Sequence, residues 1–150
     1  MQHSSTLGRR SRGFTLIEVL SVLGIASVLS SSAYPGCQGS LQKARRTDAL
    51  VALTQVQISQ ERWFVNHRGY ATLAQLRQPA QTSSGHYALE MIAADESRYE
   101  VVARASGAQA RDGECRHLKL VVDGAVITRA SGADDSVANP PAANRRCWSL

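Results

Sequence analysis

The feature that most constrains this chain is an apolar run from Phe14 to Tyr34 that contains a single charged residue, Glu18. A helix of about 20 apolar residues is long enough to cross the hydrocarbon core of a bilayer. An ionised side chain inside such a helix costs at least a few kcal/mol on insertion, so an acid at this position indicates a function. The run therefore predicts a membrane helix in which Glu18 needs a specific partner.

Two ordinary export signals share part of this pattern. A secretory signal also starts with basic residues and continues apolar, and Ser31-Ser32-Ala33 could serve as its cleavage site. The apolar region of such a signal is usually about 7–15 residues long and carries no carboxylate. Cys37 would suit a lipoprotein signal, but Tyr34-Pro35-Gly36 lacks the small aliphatic residues expected before it. Both alternatives fit less well than a retained helix.

The run from Gly13 to Glu18, which reads GFTLIE, resembles the class III leader and amino-terminal segment of type IV pilins and pseudopilins. An apolar helix with a proline, Pro35, follows it as in that family. The resemblance implies that a prepilin peptidase cleaves after Gly13 and methylates the new amine of Phe14. It also implies that Glu18 sets the registry of subunits in a filament.

Physical chemistry gives Glu18 the same role. In an apolar filament core, the free ammonium of Phe14 and the Glu18 carboxylate are each costly alone and much less costly when they pair between neighbouring subunits. Such pairing would fix the register of the subunits. The alternative is that Glu18 is merely tolerated near the helix start, where the helix dipole favours an acid.

These features divide the chain into a leader (1–13), a transmembrane or filament-core half-helix (14–35) and a globular pilin domain (36–150). An apolar stripe with helical spacing continues beyond Pro35 and predicts one long helix to about residue 66. Proline removes a backbone donor, so Pro35 either kinks this helix or ends a membrane helix that a separate helix follows.

Strand patterns appear after a turn-rich connecting loop, 67–85. Residues 86–92 and 98–104 alternate between apolar and polar side chains. Residues 117–122 and 125–128 flank Asp123-Gly124, a strong hairpin signal. The fold predicted is α+β, with a long amino-terminal helix packed on a four-stranded antiparallel meander over 86–129, as the type IV pilin resemblance implies. Within that family the chain is most similar to minor pilins of the PilE kind.

Three cysteines constrain the carboxy-terminal region and the compartment. Cys115 and Cys147 are placed to close a loop over 115–147 in an oxidising compartment, which would stabilise the fold by about 3–4 kcal/mol. Cys37 is left over and is expected to pack as a small hydrophobe. The disulfide predicts export of the domain.

Charge and topology agree with an exported domain. Without the leader arginines Arg9, Arg10 and Arg12, the 17 basic residues become 17 − 3 = 14 against 12 acidic ones, so bulk charge alone does not indicate nucleic-acid binding.

Arginines before the helix are expected to hold the amino terminus in the cytoplasm. We expect a single-pass inner-membrane protein before assembly and an extracellular filament afterwards. The expected partners are other pilin subunits, the prepilin peptidase, the inner-membrane assembly platform and lipid.

The sequence contains no motif typical of catalysis. His67, His86 and His117 lack metal-ligand spacing, and no nucleophile elbow or P-loop is present. Asp134 and Asp135 have too few neighbouring carboxylates for a calcium loop and are interpreted as a solvated turn. We therefore expect a protein that is not an enzyme and has no cofactor or metal.

The main functional hypothesis is a minor subunit of a type IV pilus, and two alternatives remain. The first is a DNA-binding competence pilin, in which Arg145 and Arg146 contact phosphate and Trp148 stacks on a base. Two arginines can also simply solubilise a loop. The second alternative is a type II secretion pseudopilin, a class that more often lacks the carboxy-terminal disulfide.

Overall fold

A computed structural model of the chain describes residues 13–149, except for the side chains of residues 32–37. Most of the leader, the side chain of Cys37 and part of the Ser31-Ser32-Ala33 sequence lie outside the described residues. The chain divides into two compact units, Met1–Gln38 and Gly39–Leu150.

Helix α1, Leu16–Phe64, is one element of 49 residues. It starts after Thr15, whose hydroxyl accepts a 3.4 Å hydrogen bond from the Glu18 backbone N–H. The helix continues through Pro35, so the alternative of two separate helices is wrong. Because the Pro35 side chain is outside the described residues, the kink stays a prediction. Among the helices of the described part of the chain, none is both long and apolar enough to span a membrane.

Four strands follow α1 and form one antiparallel sheet in the order β1-β2-β3-β4. Their bounds are β1 (Tyr87–Ala94), β2 (Arg98–Ala105), β3 (His117–Asp123) and β4 (Val126–Gly132). The predicted α+β fold with a four-stranded meander is thus confirmed. Gly124, at the β3–β4 turn, has a φ of 54°, which explains why the turn uses an Asp-Gly pair.

Two short helices were not predicted from the sequence. A 3-10 helix, Gly107–Arg111, lies between β2 and β3, and helix α2, Pro141–Trp148, follows β4. A proline suits the first turn of α2, where its missing N–H has no partner in any case. Both short helices contribute residues to the interior of the second unit.

The core of the second unit lies between α1 and the sheet. Ala49, Leu53 and Val56 recur at helical spacing on one side of α1 and are completely or almost completely buried. They belong to the same cluster as sheet residues Tyr87, Leu89, Tyr99, Val101, Leu118 and Leu120. The predicted burial of the second half of α1 by the sheet follows from this arrangement.

Gln60 continues the buried line on α1 as a polar residue. Its side-chain amide donates to the Ala71 carbonyl (2.7 Å) and its oxygen accepts from the Ala71 N–H (2.9 Å). Both halves of the buried amide are satisfied, so burial costs little. The contact fixes the start of the connecting loop against α1.

An ion pair attaches the 3-10 helix region to α1. Arg46 contacts Asp112 through two bonds, Nε to Oδ2 at 2.6 Å and Nη2 to Oδ1 at 2.8 Å. The hydrogen bond to Asp112 raises the pKa of Arg46 above its ordinary value. Gln109 donates to the same carboxylate and to the Gln42 carbonyl. Removal of either charged partner would leave a buried charge uncompensated.

Candidate functional site

The predicted processing and assembly residues lie at the start of the described chain. Gly13 and Phe14 precede α1, and Glu18 is in its first turn. Phe14 and Glu18 line one shallow groove together with Val19, Val22 and Leu23. The structure thus brings two of the three predicted residues to one surface. Leader cleavage, methylation and the pairing of Glu18 with a neighbour stay predictions.

The first half of α1 presents large apolar side chains to the outside. Their exposed fractions run from 46% at Val19 to 82% at Phe14. The residues concerned are Phe14, Leu16, Ile17, Val19, Leu20, Val22, Leu23, Ile25, Val28 and Leu29. A contiguous apolar surface of this kind marks a site of contact with protein or lipid. Glu18 is the charged side chain within the described segment 13–31.

The serines in this segment satisfy their own hydroxyl groups. Ser21 donates to the Ile17 carbonyl and Ser30 to the Ala26 carbonyl, each at 2.8 Å. Ser27 and Ser31 also donate to carbonyls of the preceding turn. Because each of these serine hydroxyls is paired within the helix, the serines do not prevent the segment from entering apolar surroundings. These bonds were not predicted, although serine at helical positions is a usable signal for them.

The predicted disulfide is present between Cys115 and Cys147, whose Cα atoms are 5.4 Å apart. It joins the residues before β3 to helix α2. Asn139 reinforces this region by donating to the Glu114 carbonyl at 2.7 Å. The carboxy-terminal loop is therefore anchored at both ends.

The structure corrects one part of the nucleic-acid hypothesis. Trp148 is only 7% exposed, and its indole N–H donates to the Ala130 carbonyl at 3.0 Å. The guanidinium of Arg129 lies over its ring, 5.8 Å from the centroid. Trp148 is a core residue and cannot stack on a base as the DNA-binding alternative required, because its ring is already covered by the protein.

The two candidate arginines are both exposed on α2 but differ in their contacts. Arg146 Nη2 is 2.8 Å from Glu114 Oε2, and both side chains are about three-fifths exposed. Exposed ion pairs contribute little, so phosphate could replace this carboxylate. Arg145 forms no ion pair with the residues that the structure describes. Lys119 pairs with Glu100 on the sheet.

Asp134 and Asp135 have protein partners, as expected for a turn. Asp134 accepts hydrogen bonds from the backbone and hydroxyl of Ser136. Asp135 contacts Arg104 and lies 3.5 Å from His117 Nε2. Over the described residues, no group of three His, Cys, Asp or Glu side chains is placed to hold a metal ion.

His117 is a partly buried histidine at this end of the sheet. Burial, followed by the charges of Arg104 and Arg116, lowers its pKa below the ordinary value. The Ala133 carbonyl and Asp134 act in the opposite direction but do not outweigh them. The imidazole is therefore held in its neutral form.

Comparison with known proteins matches two segments of the chain to protein families. Residues 8–34 match the prokaryotic N-terminal methylation motif. Residues 35–119, more than half of the chain, match a family described as "Type IV minor pilin ComP, DNA uptake sequence receptor". The chain belongs to this family of type IV minor pilins. The resemblance found in the GFTLIE segment is confirmed.

Individual relatives of this pilin carry pilus-related names. It is 38% identical over 63 residues to "Prepilin peptidase-dependent protein D" of Escherichia coli (strain K12), covering 42% of this chain and 43% of the relative. It is 28% identical over 106 residues to "Toxin coregulated pilin" of Vibrio cholerae serotype O1, covering 71% of this chain and 46% of the relative. The pilin spans less than half the length of either relative. Families of this kind consist of structural subunits rather than enzymes.

Proposed function

We propose that this minor pilin enters the inner membrane as a prepilin, is cleaved after Gly13 and methylated on Phe14, and then assembles into a type IV pilus. Its partners would be the prepilin peptidase, the membrane assembly platform and neighbouring pilin subunits. The exposed apolar half of α1, with Glu18 as its charged residue, is the observation that carries the proposal. In a filament, neighbouring helices would bury this surface.

Pairing of Glu18 with a neighbouring amino terminus accounts for an acid in this position. A carboxylate and an ammonium in apolar surroundings are each costly to desolvate, and a close pair recovers much of that cost. Any subunit placed out of register would leave both charges unpaired. Glu18 would thus fix the register of neighbouring subunits during assembly, and membrane insertion would not require it.

Substitution of Glu18 tests this role. We expect Glu18→Ala and Glu18→Gln to leave membrane insertion and leader cleavage intact, because removing a charge from an apolar helix eases insertion. Incorporation into sheared filaments should fall by about tenfold or more, since the variants lose an ion pair in apolar surroundings. Immunoblots of processed protein in membranes and in sheared pili separate the two steps. Glu61→Gln, at an exposed glutamate of the same helix, is the matched control. Full incorporation of both Glu18 variants would contradict the pairing.

DNA binding is a second candidate function, because the family that matches residues 35–119 is described as a DNA uptake sequence receptor. Arg145 and Arg146 on α2 provide exposed positive charge for phosphate contacts. The Cys115–Cys147 disulfide and the family membership favour both of these functions over that of a secretion pseudopilin.

Binding of duplex DNA by the full-length chain in neutral detergent tests this second function. We expect affinity to fall steeply with salt. The slope of log affinity against log salt should become about 2 units shallower in Arg145→Gln/Arg146→Gln, since each phosphate contact contributes about 0.9. Arg111→Gln, which removes an exposed arginine outside α2, is the control. An unchanged slope in the double variant would show that these arginines do not contact DNA. Absence of binding at low salt would rule out DNA binding as a function.

A further inference from the structure

An open groove at the carboxy-terminal end of α1 is lined by basic and aromatic side chains. Its lining residues include Arg62, Trp63, Asn66, His67, Gln75 and Arg77. The groove lies between the last turns of α1 and the connecting loop. Gln78 Nε2 donates to Ser59 Oγ at 3.0 Å and holds the loop against the helix. The groove is thus a formed feature of the second unit.

Two aromatic rings in this groove are stacked. The Trp63 and His67 ring centroids are 3.8 Å apart and their planes differ by 7°. A contact of 3.0 Å between His67 Nδ1 and the Trp63 carbonyl supports this arrangement. His67 is exposed whereas Trp63 is half-buried, so the imidazole is the outer layer of the stack. A flat aromatic surface open to solvent suits another planar ring.

The charge of the groove is positive. Arg62 and Arg77 are exposed, and neither forms an ion pair with any acid in the described part of the chain. None of the side chains lining the groove is acidic. Both guanidinium groups are therefore available to an anionic ligand. The backbone of Arg77 has a φ of 54°, a conformation that favours glycine.

We propose that this groove binds single-stranded nucleic acid, with an unpaired base stacked on the Trp63–His67 pair and Arg62 and Arg77 on the flanking phosphates. The proposal rests on the DNA-binding function proposed above. In a duplex the base faces are already stacked on one another, so an aromatic surface beside two arginines favours a single strand. The groove lies within the segment 35–119 that matches the receptor family, whereas Arg145 and Arg146 lie beyond it.

The test measures binding of the full-length chain, in neutral detergent, to a labelled 12-nucleotide oligothymidine and to a 12-base-pair duplex. We expect Trp63→Leu to weaken oligothymidine binding by about tenfold, because stacking one base is worth about 1–3 kcal/mol, which corresponds to about 5- to 150-fold. Trp63→Phe should retain most of the affinity because it keeps an aromatic ring. Thermal unfolding of each variant checks that the second unit remains folded.

The arginines are tested through the salt dependence of oligothymidine binding. Arg62→Gln and Arg77→Gly should each make the slope of log affinity against log salt about 0.7 units shallower, the value per phosphate for single strands. Glycine is chosen at position 77 because it adopts the positive φ without strain. Arg111→Gln, which removes an exposed arginine outside the groove, should leave oligothymidine binding unchanged.

Fluorescence provides an independent readout, because the chain has two tryptophans, Trp63 and Trp148. In a Trp148→Phe background, saturating oligothymidine should quench the emission of Trp63. Unchanged emission at saturation, or wild-type affinity in Trp63→Leu, would overturn the groove proposal. If the duplex then still binds through Arg145 and Arg146, the DNA-binding function survives without the groove. Failure to bind either probe would overturn both.

Discussion

The two halves of helix α1 contain similar apolar residues but bury them differently. Leu53 in the second unit is 1% exposed because it packs in the cluster between α1 and the sheet, whereas Leu20 in the first unit is 56% exposed. Helix formation alone therefore does not bury an apolar side chain. The second unit buries its apolar residues within one chain, whereas the large apolar side chains of the first unit are exposed.

The largest effect expected from this comparison is on the free energy of unfolding of the second unit. Leu53→Ala should lower it by about 2–5 kcal/mol, since it removes buried apolar atoms and leaves a cavity. Leu20→Ala, the same chemical change in the first unit, should leave it unchanged. Urea unfolding of the full-length chain in detergent, followed by near-ultraviolet circular dichroism, measures both. Equal losses in the two variants would show that the first unit also contributes to folding of the second.

A loss of about the same size is expected on removal of the disulfide. Cys115→Ser/Cys147→Ser should lower the free energy of unfolding by about 3–4 kcal/mol in the chain-entropy model. Because the bond joins α2 to the residues before β3, exchange of the backbone amide hydrogens of residues 142–148 in α2 should accelerate more than exchange in the sheet. Cys37→Ser, which keeps the disulfide, is the control in both measurements. Unchanged exchange in α2 would mean that its other contacts, among them the hydrogen bonds of Asn144 and Trp148, are enough to hold this helix in place.

The parts of the fold that were predictable have a strong period or a strong local signal. The apolar run with Glu18, the alternation in β1 and β2, and the Asp123-Gly124 turn each specify local structure directly. The disulfide predicted between Cys115 and Cys147 is also present. The local patterns of these elements agree with the tertiary fold, as is typical of well-specified elements.

The parts that were missed depend on contacts between distant residues. Helix α2 has little apolar periodicity, and its prolines were the only available signal. Its position depends on the disulfide and on the burial of Trp148. Arg46 and Asp112 are separated along the chain, so no local pattern could predict their ion pair. The Trp63–His67 stack has the i, i+4 spacing of a helix, but exposure of its rings became clear only from the structure.

The smallest effect concerns His117 and the dependence of stability on pH. The pKa of His117 is lowered in the folded state, so the unfolded chain, with an ordinary pKa of about 6.5, binds more protons as the pH falls. Stability from this residue is therefore fully present above about pH 6.5 and is lost as the pH falls towards the lowered folded pKa. The loss cannot exceed about 1.4 kcal/mol per pH unit for one proton.

We expect His117→Gln to flatten the fall in the free energy of unfolding between about pH 7 and pH 5. The variant removes the proton uptake while keeping a polar side chain beside Arg104 and Asp135. Urea unfolding at half-unit pH steps measures the difference. Because His117 belongs to the second unit, Glu18→Gln in the first unit should leave the pH dependence as it is in the parent chain. An unchanged slope in His117→Gln would show that other groups in the second unit produce the pH dependence, and a changed slope in Glu18→Gln would show that folding of the two units is coupled.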